Sequence, residues 1–184
     1  MIGLILAGGY GRRMGREKVQ LEIEGVPLYM RVAQTLKNAG VSPHLSLRSD
    51  QTPPADFTLP VIRDFEDGKG PLQAILAALQ TSGRDVLVVP CDLPNLNEQH
   101  LVKLMDAFQD ESDVVHFSQE GELHFFPSIW SKQLINAIAQ HIQTDLSIRR
   151  FIKDLRVRTI PLSESGEPLI NLNTPEDLEK WKKQ

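Results

Sequence analysis

Residues 1–18 read "MIGLILAGGYGRRMGREK". Ile2 to Leu6 is a short, continuous apolar run that stops at glycines, the pattern of a strand buried on both faces. The next thirteen residues, 6–18, hold four glycines and four permanent cations, Arg12, Arg13, Arg16 and Lys18. Glycine costs backbone entropy, and clustered cations repel one another. Both costs make sense if the loop wraps something small and strongly negative. A buried strand feeding such a loop predicts an α/β architecture with a ligand at the strand's carboxyl end.

The rest of the chain extends that reading. "PLYMRVAQTLKNAG" (27–40) opens with Pro27 and closes with Gly40, a helix start and stop, with Leu28, Val32, Leu36 and Ala39 on one face. "HLSLR" (44–48) and "LPVIRD" (59–64) are short strand candidates around the turn-like "SDQTPPAD". "GPLQAILAALQTSG" (70–83) repeats the proline-in, glycine-out helix, and "DVLVVPCD" (85–92) is the clearest buried strand. In the second half, "NEQHLVKLMDAF" reads as a helix with Leu101, Leu104, Met105 and Phe108 on its apolar side. "DVVHF" and "ELHFFPSIW" read as strands flanking the turn "SQEGE". "SKQLINAIAQHI" and "LSIRRFIKDL" read as helices and "VRTIPL" as a strand. "TPEDLEKWKK" is a terminal helix capped by Thr174 with Pro175 in its first turn.

Strands alternating with helices predict an α/β fold: a Rossmann-like, three-layer domain with a mostly parallel sheet, spanning 1–184 as a single domain. In such sheets ligands bind beyond the carboxyl ends of the strands. The segments 6–18, 63–70, 91–96 and 171–174 follow predicted strands, and the glycines, cations and conspicuous acids concentrate there.

Composition bounds the function. With 41% hydrophobic and 24% charged residues and a net charge of -4, the chain reads as a globular protein. That charge argues against a nucleic-acid coat or an anionic membrane surface as partner. Cys91 is the only cysteine, which excludes an intramolecular disulfide framework and a cysteine-rich zinc site. It reads as a small buried hydrophobe, and His116 and His141 as structural. No apolar run approaches a membrane span, and the opening run lacks the basic flank of a secretion signal. A cytoplasmic location is expected.

Two familiar phosphate-binding patterns fail on the opening loop. Gly9 and Gly11 begin a dinucleotide fingerprint, but Met14 stands where its third glycine belongs. A Walker loop needs serine or threonine after glycine–lysine, which neither Lys18 nor "GKG" at 68–70 provides. What remains, L-A-G-G-x-G-x-R-M-G-x-x-K, resembles the signature of nucleotidyltransferases that activate a phosphorylated small molecule with a nucleoside triphosphate. With "VIRDFEDGKGPL", "VLVVPCDLPNL" and "LINLNTPEDLEKW" in order behind it, the chain most resembles the molybdenum cofactor guanylyltransferase family.

The resemblance implies GMP transfer from GTP to the terminal phosphate of molybdopterin or Mo-molybdopterin, with Mg²⁺. Leu6, Ala7 and Gly8 would line the guanosine, with Gly8 and Gly9 letting backbone amides approach phosphate oxygens. Lys18 would contact the phosphates, and on physical grounds Arg13 is a second candidate to hold them. Asp64 would help hold the nucleotide, and Asp92 would bind it through Mg²⁺. Gly70, Pro71 and Leu72 would shape the base pocket, with Asn171 and Asn173 near the pterin and metal. Molybdenum-insertion or target-enzyme proteins are the implied protein partners; nucleic acid and membrane are not. Physically, four cations suit a triphosphate, and Mg²⁺ needs only one or two carboxylates beside substrate phosphates.

Some positions depart from the family pattern. Gly11 and Glu17 are mild replacements, Gln73-Ala74 follows "GPL" where Ala-Gly is usual, and Ser46 stands for an asparagine. Phe126-Pro127 replaces a His-Pro pair, with His124 nearby. A cytidylyltransferase of the same architecture and a non-catalytic nucleotide- or pterin-binding module are the alternatives.

Overall fold

The computed structural model describes residues 1–7, 21–53, 57–63, 70–164 and 168–181. Its centre is the pairing of two five-residue apolar strands, β1 (Ile2–Leu6) and β6 (Val86–Pro90), parallel and in register from Ile2 opposite Val86 to Leu6 opposite Pro90. On the other side of β1 lie β4 (Pro43–Leu47) and the edge strand β5 (Val61–Arg63), both parallel to it. Beyond β6 come β8 (Glu122–Trp130), β7 (Val114–Gln119) and β9 (Val157–Pro161). The order is β5-β4-β1-β6-β8-β7-β9, and only β8 runs against the rest. The expected mostly parallel sheet is therefore present, with one antiparallel strand inserted.

Strand alternation explains why these runs are apolar throughout. Side chains two apart share a face. Ile5 and Ala7 pack with Leu45, Leu47, Leu87 and Val89 under helices α1 (Leu28–Asn38) and α3 (Glu98–Ala107). Ile2 and Leu4 pack with Ile62, Val86 and Val88 under α2 (Gly70–Ser82) and α4 (Ile135–His141). Helices cover both faces, so neither set of side chains meets water. Cys91 is fully buried in the first of these cores, as its reading as a small hydrophobe requires.

The helix signals hold. Gly40 and Gly83, just past α1 and α2, have φ of +74° and +61°, left-handed values that glycine adopts without strain. Asn97 caps α3 by accepting from His100 N at 3.2 Å, and His100 Nδ1 returns the favour to Asn97 N at 3.3 Å. At the terminal helix α6 (Pro175–Trp181), Thr174 Oγ1 accepts from Asp177 N at 3.2 Å while Asp177 accepts from Thr174 N at 2.9 Å.

Three features differ from the sequence reading. Two-residue strands β2 (Glu22–Ile23) and β3 (Val26–Pro27) form a small separate hairpin ahead of α1. Such short strands carry no periodicity to read. The stretch 131–142 opens with a 3-10 turn, Lys132–Leu134, before α4. The stretch 146–155 breaks into α5 (Ile148–Phe151) and the 3-10 turn Ile152–Asp154, where Phe151 stacks on Trp130 with ring centroids 6.2 Å apart.

Where α1 crosses β1 the packing leaves no room for a side chain at Gly3. A Cβ added to Gly3 would stand 2.9 Å from both Leu36 methyls and 3.2 Å from Val41 Cγ1. Leu36 is fully buried and has nowhere to retreat. Gly3→Ala is therefore expected to destabilise the fold by about 1–3 kcal/mol despite stiffening the unfolded chain. A urea midpoint equal to or above wild type would show that the helix can shift to make room.

Candidate active site

The chain leaves β1 toward β4 and leaves β6 toward the other half of the sheet, so the strand order reverses between them. A crevice beyond the carboxyl ends at such a switch point is where α/β sheets hold ligands. Cys91 N donates to Leu6 O at 3.2 Å, which carries the β1–β6 ladder one step past the strands. Ala7 is fully buried and its N–H reaches Ser46 O at 3.4 Å, while Gln51 Nε2 reaches Ala7 O at 3.5 Å. Leu6 is half-buried against the α2 side of the core, with Phe125 and Phe126.

Asp92 stands two residues past the end of β6 and is 3% exposed. Its carbonyl accepts from Leu172 N at 3.0 Å, across eighty positions of sequence. Asn95 secures the same returning segment twice, donating to Pro168 O at 2.7 Å and accepting from Ile170 N at 3.1 Å. Leu172 is buried in a small apolar cluster with Leu21, Ile23 and Leu28, while Asn171 and Asn173 on either side of it are exposed. Leu172 is thus buried while the carboxamides on either side of it are exposed, and the backbone between them is held to that of Asp92.

Strand ends β4 and β5 are organised by one guanidinium. Arg63 Nη1 stands 2.9, 3.2 and 3.0 Å from the carbonyls of Arg48, Ser49 and Gln51, and so fixes the turn after β4. Arg48 is buried and its Nε donates to Asp50 Oδ1 at 2.9 Å. After β5 the described chain resumes at α2, whose first residue, Gly70, has φ +67°. Gly70 is exposed, Pro71 half-buried and Leu72 fully buried.

Of the residues singled out in the sequence, Leu6 and Ala7 leave β1 beside Cys91, Asp92 is tied by its backbone to the segment carrying Asn171 and Asn173, and Gly70, Pro71 and Leu72 open α2 after β5. Gly8, Gly9, Arg12, Arg13, Arg16, Lys18 and Asp64 lie outside the described residues. Asn95, Gln51 and Arg63 organise the site and were not singled out. An arginine ending an apolar strand is a faint signal; Asn95 offers none, because its partners lie more than seventy positions away.

Farther along the carboxyl edge, the β7–β8 pairing steps from His116 opposite Ser128 to Phe117 opposite His124. Residues 125–127 are the excess, and they include the cis Phe126-Pro127 bond. Arg149 lies 5.7 Å from the Phe125 ring centroid, a cation–π distance. His116 is 1% exposed; its Nδ1 donates to Phe117 O at 2.8 Å, leaving Nε2 to accept from Thr159 Oγ1 at 3.4 Å. Desolvation holds its pKa below the usual histidine value, against the carbonyl contact and with some help from nearby His124. Desolvation lowers His124 as well.

Comparison with known proteins bears on this site. The MobA-like NTP transferase domain family matches residues 3–159. A molybdenum cofactor guanylyltransferase of Histophilus somni (strain 2336) is 31% identical over 183 residues, covering 97% of this chain and 94% of that protein. One of the same name from Rhodobacter capsulatus is 33% identical over 185 residues, covering 96% and 92%. The crystal structure of molybdopterin-guanine dinucleotide biosynthesis protein A from Archaeoglobus fulgidus matches with a TM-score of 0.83 at 22% identity, covering 100% of this chain and 97% of that one. That likeness carries the fold.

The two histidines set a pH dependence of stability. Both have folded-state pKa values below the ordinary 6.5, so the unfolded chain binds more protons in this range. Their neutral forms support the fold fully above pH 6.5, and that support is lost as pH falls below it. Denaturation midpoints are expected to drop between pH 7 and pH 5. His116→Asn, which keeps a donor near Nδ1 but cannot titrate there, is expected to flatten the slope; an unchanged slope would exclude His116 as its source.

Proposed function

The chain belongs to the MobA-like NTP transferase domain family, and from that premise we propose that it transfers GMP from GTP to the terminal phosphate of molybdopterin or Mo-molybdopterin. The products are the guanine dinucleotide form of the cofactor and pyrophosphate. The relatives named as molybdenum cofactor guanylyltransferases support the choice of GTP and molybdopterin. The single observation that supports it most is the hydrogen bond from Leu172 N to the Asp92 carbonyl. It ties the backbone at a buried carboxylate, next to the end of β1, to the segment that carries Asn171 and Asn173, which supports their serving one site. Residues 1–184 act as one nucleotidyltransferase domain in this reading. Among the described residues no helix is long and apolar enough to cross a membrane, and a cytoplasmic site of action is part of the proposal.

The reaction asks for positioning and charge rather than proton transfer. A phosphate monoester loses its second proton near pH ~6, so the attacking oxygen is ionised at neutral pH. That oxygen bonds to the α-phosphorus of GTP as the bond to the α,β-bridging oxygen breaks, and pyrophosphate leaves with the electron pair. No general base is required. Lys18 and Arg13 hold the triphosphate and neutralise charge spreading toward pyrophosphate, and the amides of Gly8 and Gly9 approach its oxygens. Leu6, Ala7, Gly70, Pro71 and Leu72 enclose the guanosine, and Asp64 supports the nucleotide. Asn171 and Asn173 face the pterin side.

Mg²⁺ fits the donors present. Asp92 offers a hard carboxylate oxygen, and this ion is typically held by one or two carboxylates together with substrate phosphates, so a protein cage is not needed. Asp92 would hold it, and when bound it supplies positive charge at the reacting phosphates. Removing the carboxylate charge should leave the shape of the site intact.

GTP is expected to raise the melting temperature more than CTP does, because only a ligand of the native state stabilises it. A larger CTP shift would make the protein a cytidylyltransferase, and shifts without pyrophosphate release in the presence of molybdopterin would make it a binding module. Asp92→Asn is expected to lower turnover by at least roughly a hundredfold, with metal-free GTP binding little changed. Pyrophosphate release measured against Mg²⁺ concentration tests this. Near-normal turnover at low Mg²⁺ in the variant would remove Asp92 from the metal's coordination.

A further inference from the structure

Helix α2 buries eight consecutive residues, Leu72 to Leu79, and Gln73 is the one polar side chain among them. It is 3% exposed, and its Oε1 has no hydrogen-bond partner among the described residues. Native proteins pair the great majority of their buried acceptors, since desolvating a carboxamide oxygen without a partner opposes folding. Packing alone does not call for it, because a methionine or leucine would fill similar space at no such cost. A retained orphan of this kind marks a group whose partner arrives from outside.

Its position says where that partner comes from. Side chains on an α-helix lean toward the helix N-terminus, so the patch covered by Gln73 lies over the opening turn. That turn starts at Gly70, beyond the carboxyl end of β5, on the same edge of the sheet as Ala7 and Asp92. At Gly70 itself, an added Cβ would meet nothing within 4 Å among the described residues. A buried, unsatisfied oxygen therefore stands one turn inside the helix that borders the nucleotide crevice.

We propose that Gln73 determines base specificity, its Oε1 accepting from the Watson–Crick edge of guanine, where the ring N1–H and the 2-amino group present adjacent donors. Cytosine and adenine set an unprotonated ring nitrogen beside their single amino donor, which would face the oxygen lone pairs with an acceptor. Hypoxanthine keeps the ring N–H but lacks the 2-amino group. The assignment rests on the reading of GTP as nucleotide donor. It deepens that reading by naming a residue that selects the base through a desolvated hydrogen bond, the type of contact that discriminates most strongly against ligands lacking the donor.

The test is calorimetric titration of GTP, ITP and CTP into the wild-type protein, Gln73→Met and Gln73→Glu. Wild type is expected to prefer GTP over ITP by about tenfold or more, the scale of one such hydrogen bond. Gln73→Met, which fills the space without an acceptor, is expected to bind GTP about tenfold more weakly and to lose the preference over ITP. Its ligand-free melting temperature should be no lower than wild type, since the orphaned oxygen is gone. Gln73→Glu keeps an acceptor at the same reach and should keep the GTP preference, which covers the case of a poorly folded methionine variant. Equal affinity of wild type for GTP and ITP, or unaltered GTP selectivity in Gln73→Met, overturns the role of Gln73 while leaving the donor assignment standing. Binding of CTP but not GTP by the wild type overturns the donor assignment itself, and Gln73's role with it.

Discussion

The register between β1 and β6 is the constraint on which the other features depend. Five parallel residues of each strand pair without offset, so Leu6 and Pro90 end at one level and the chain opens to both sides of a single crevice. Both strands are apolar on both faces, and helices on either side remove them from water. A one-residue slip would exchange the two cores and carry Asp92 to the opposite face. The hydrophobic pattern therefore fixes the position of a carboxylate that contributes nothing to that pattern.

Polar groups at the carboxyl edge are then held by few but long-range bonds. Arg63 gathers three carbonyls of the turn after β4, Asn95 grips the backbone at Pro168 and Ile170, and Leu172 seals the small core beneath α6. These contacts turn separate loops into one wall. Preorganised polar groups in a dry site stabilise transferred charge without reorganising during the reaction.

Much of the fold was legible locally. Proline-in and glycine-out marks bracketed α1 and α2, Thr174 stood at a real cap, and the continuous apolar runs at 2–6 and 86–90 became the central strands. What escaped reading had a common cause. The β2–β3 hairpin is too short to show a period, and α5 is a single turn interrupted by a 3-10 segment. The extra residues 125–127 in β8 are visible only against a partner strand.

By itself, the sequence determined the layer architecture, the order of the motifs and the family, because strand and helix periods and turn chemistry are short-range properties. It also nominated Asp92, Asn171 and Asn173 for one site from their motifs alone. Tertiary structure alone decided that β8 enters antiparallel between β6 and β7, and that the segment around Leu172 returns to Asp92. It alone showed that Gln73 is buried rather than solvated, while its neighbours in α2 pack against sheet and helix. Each of these depends on partners far away in sequence, whose pairing is settled by which surfaces remain to be covered once the central strands have met. No local pattern encodes that choice.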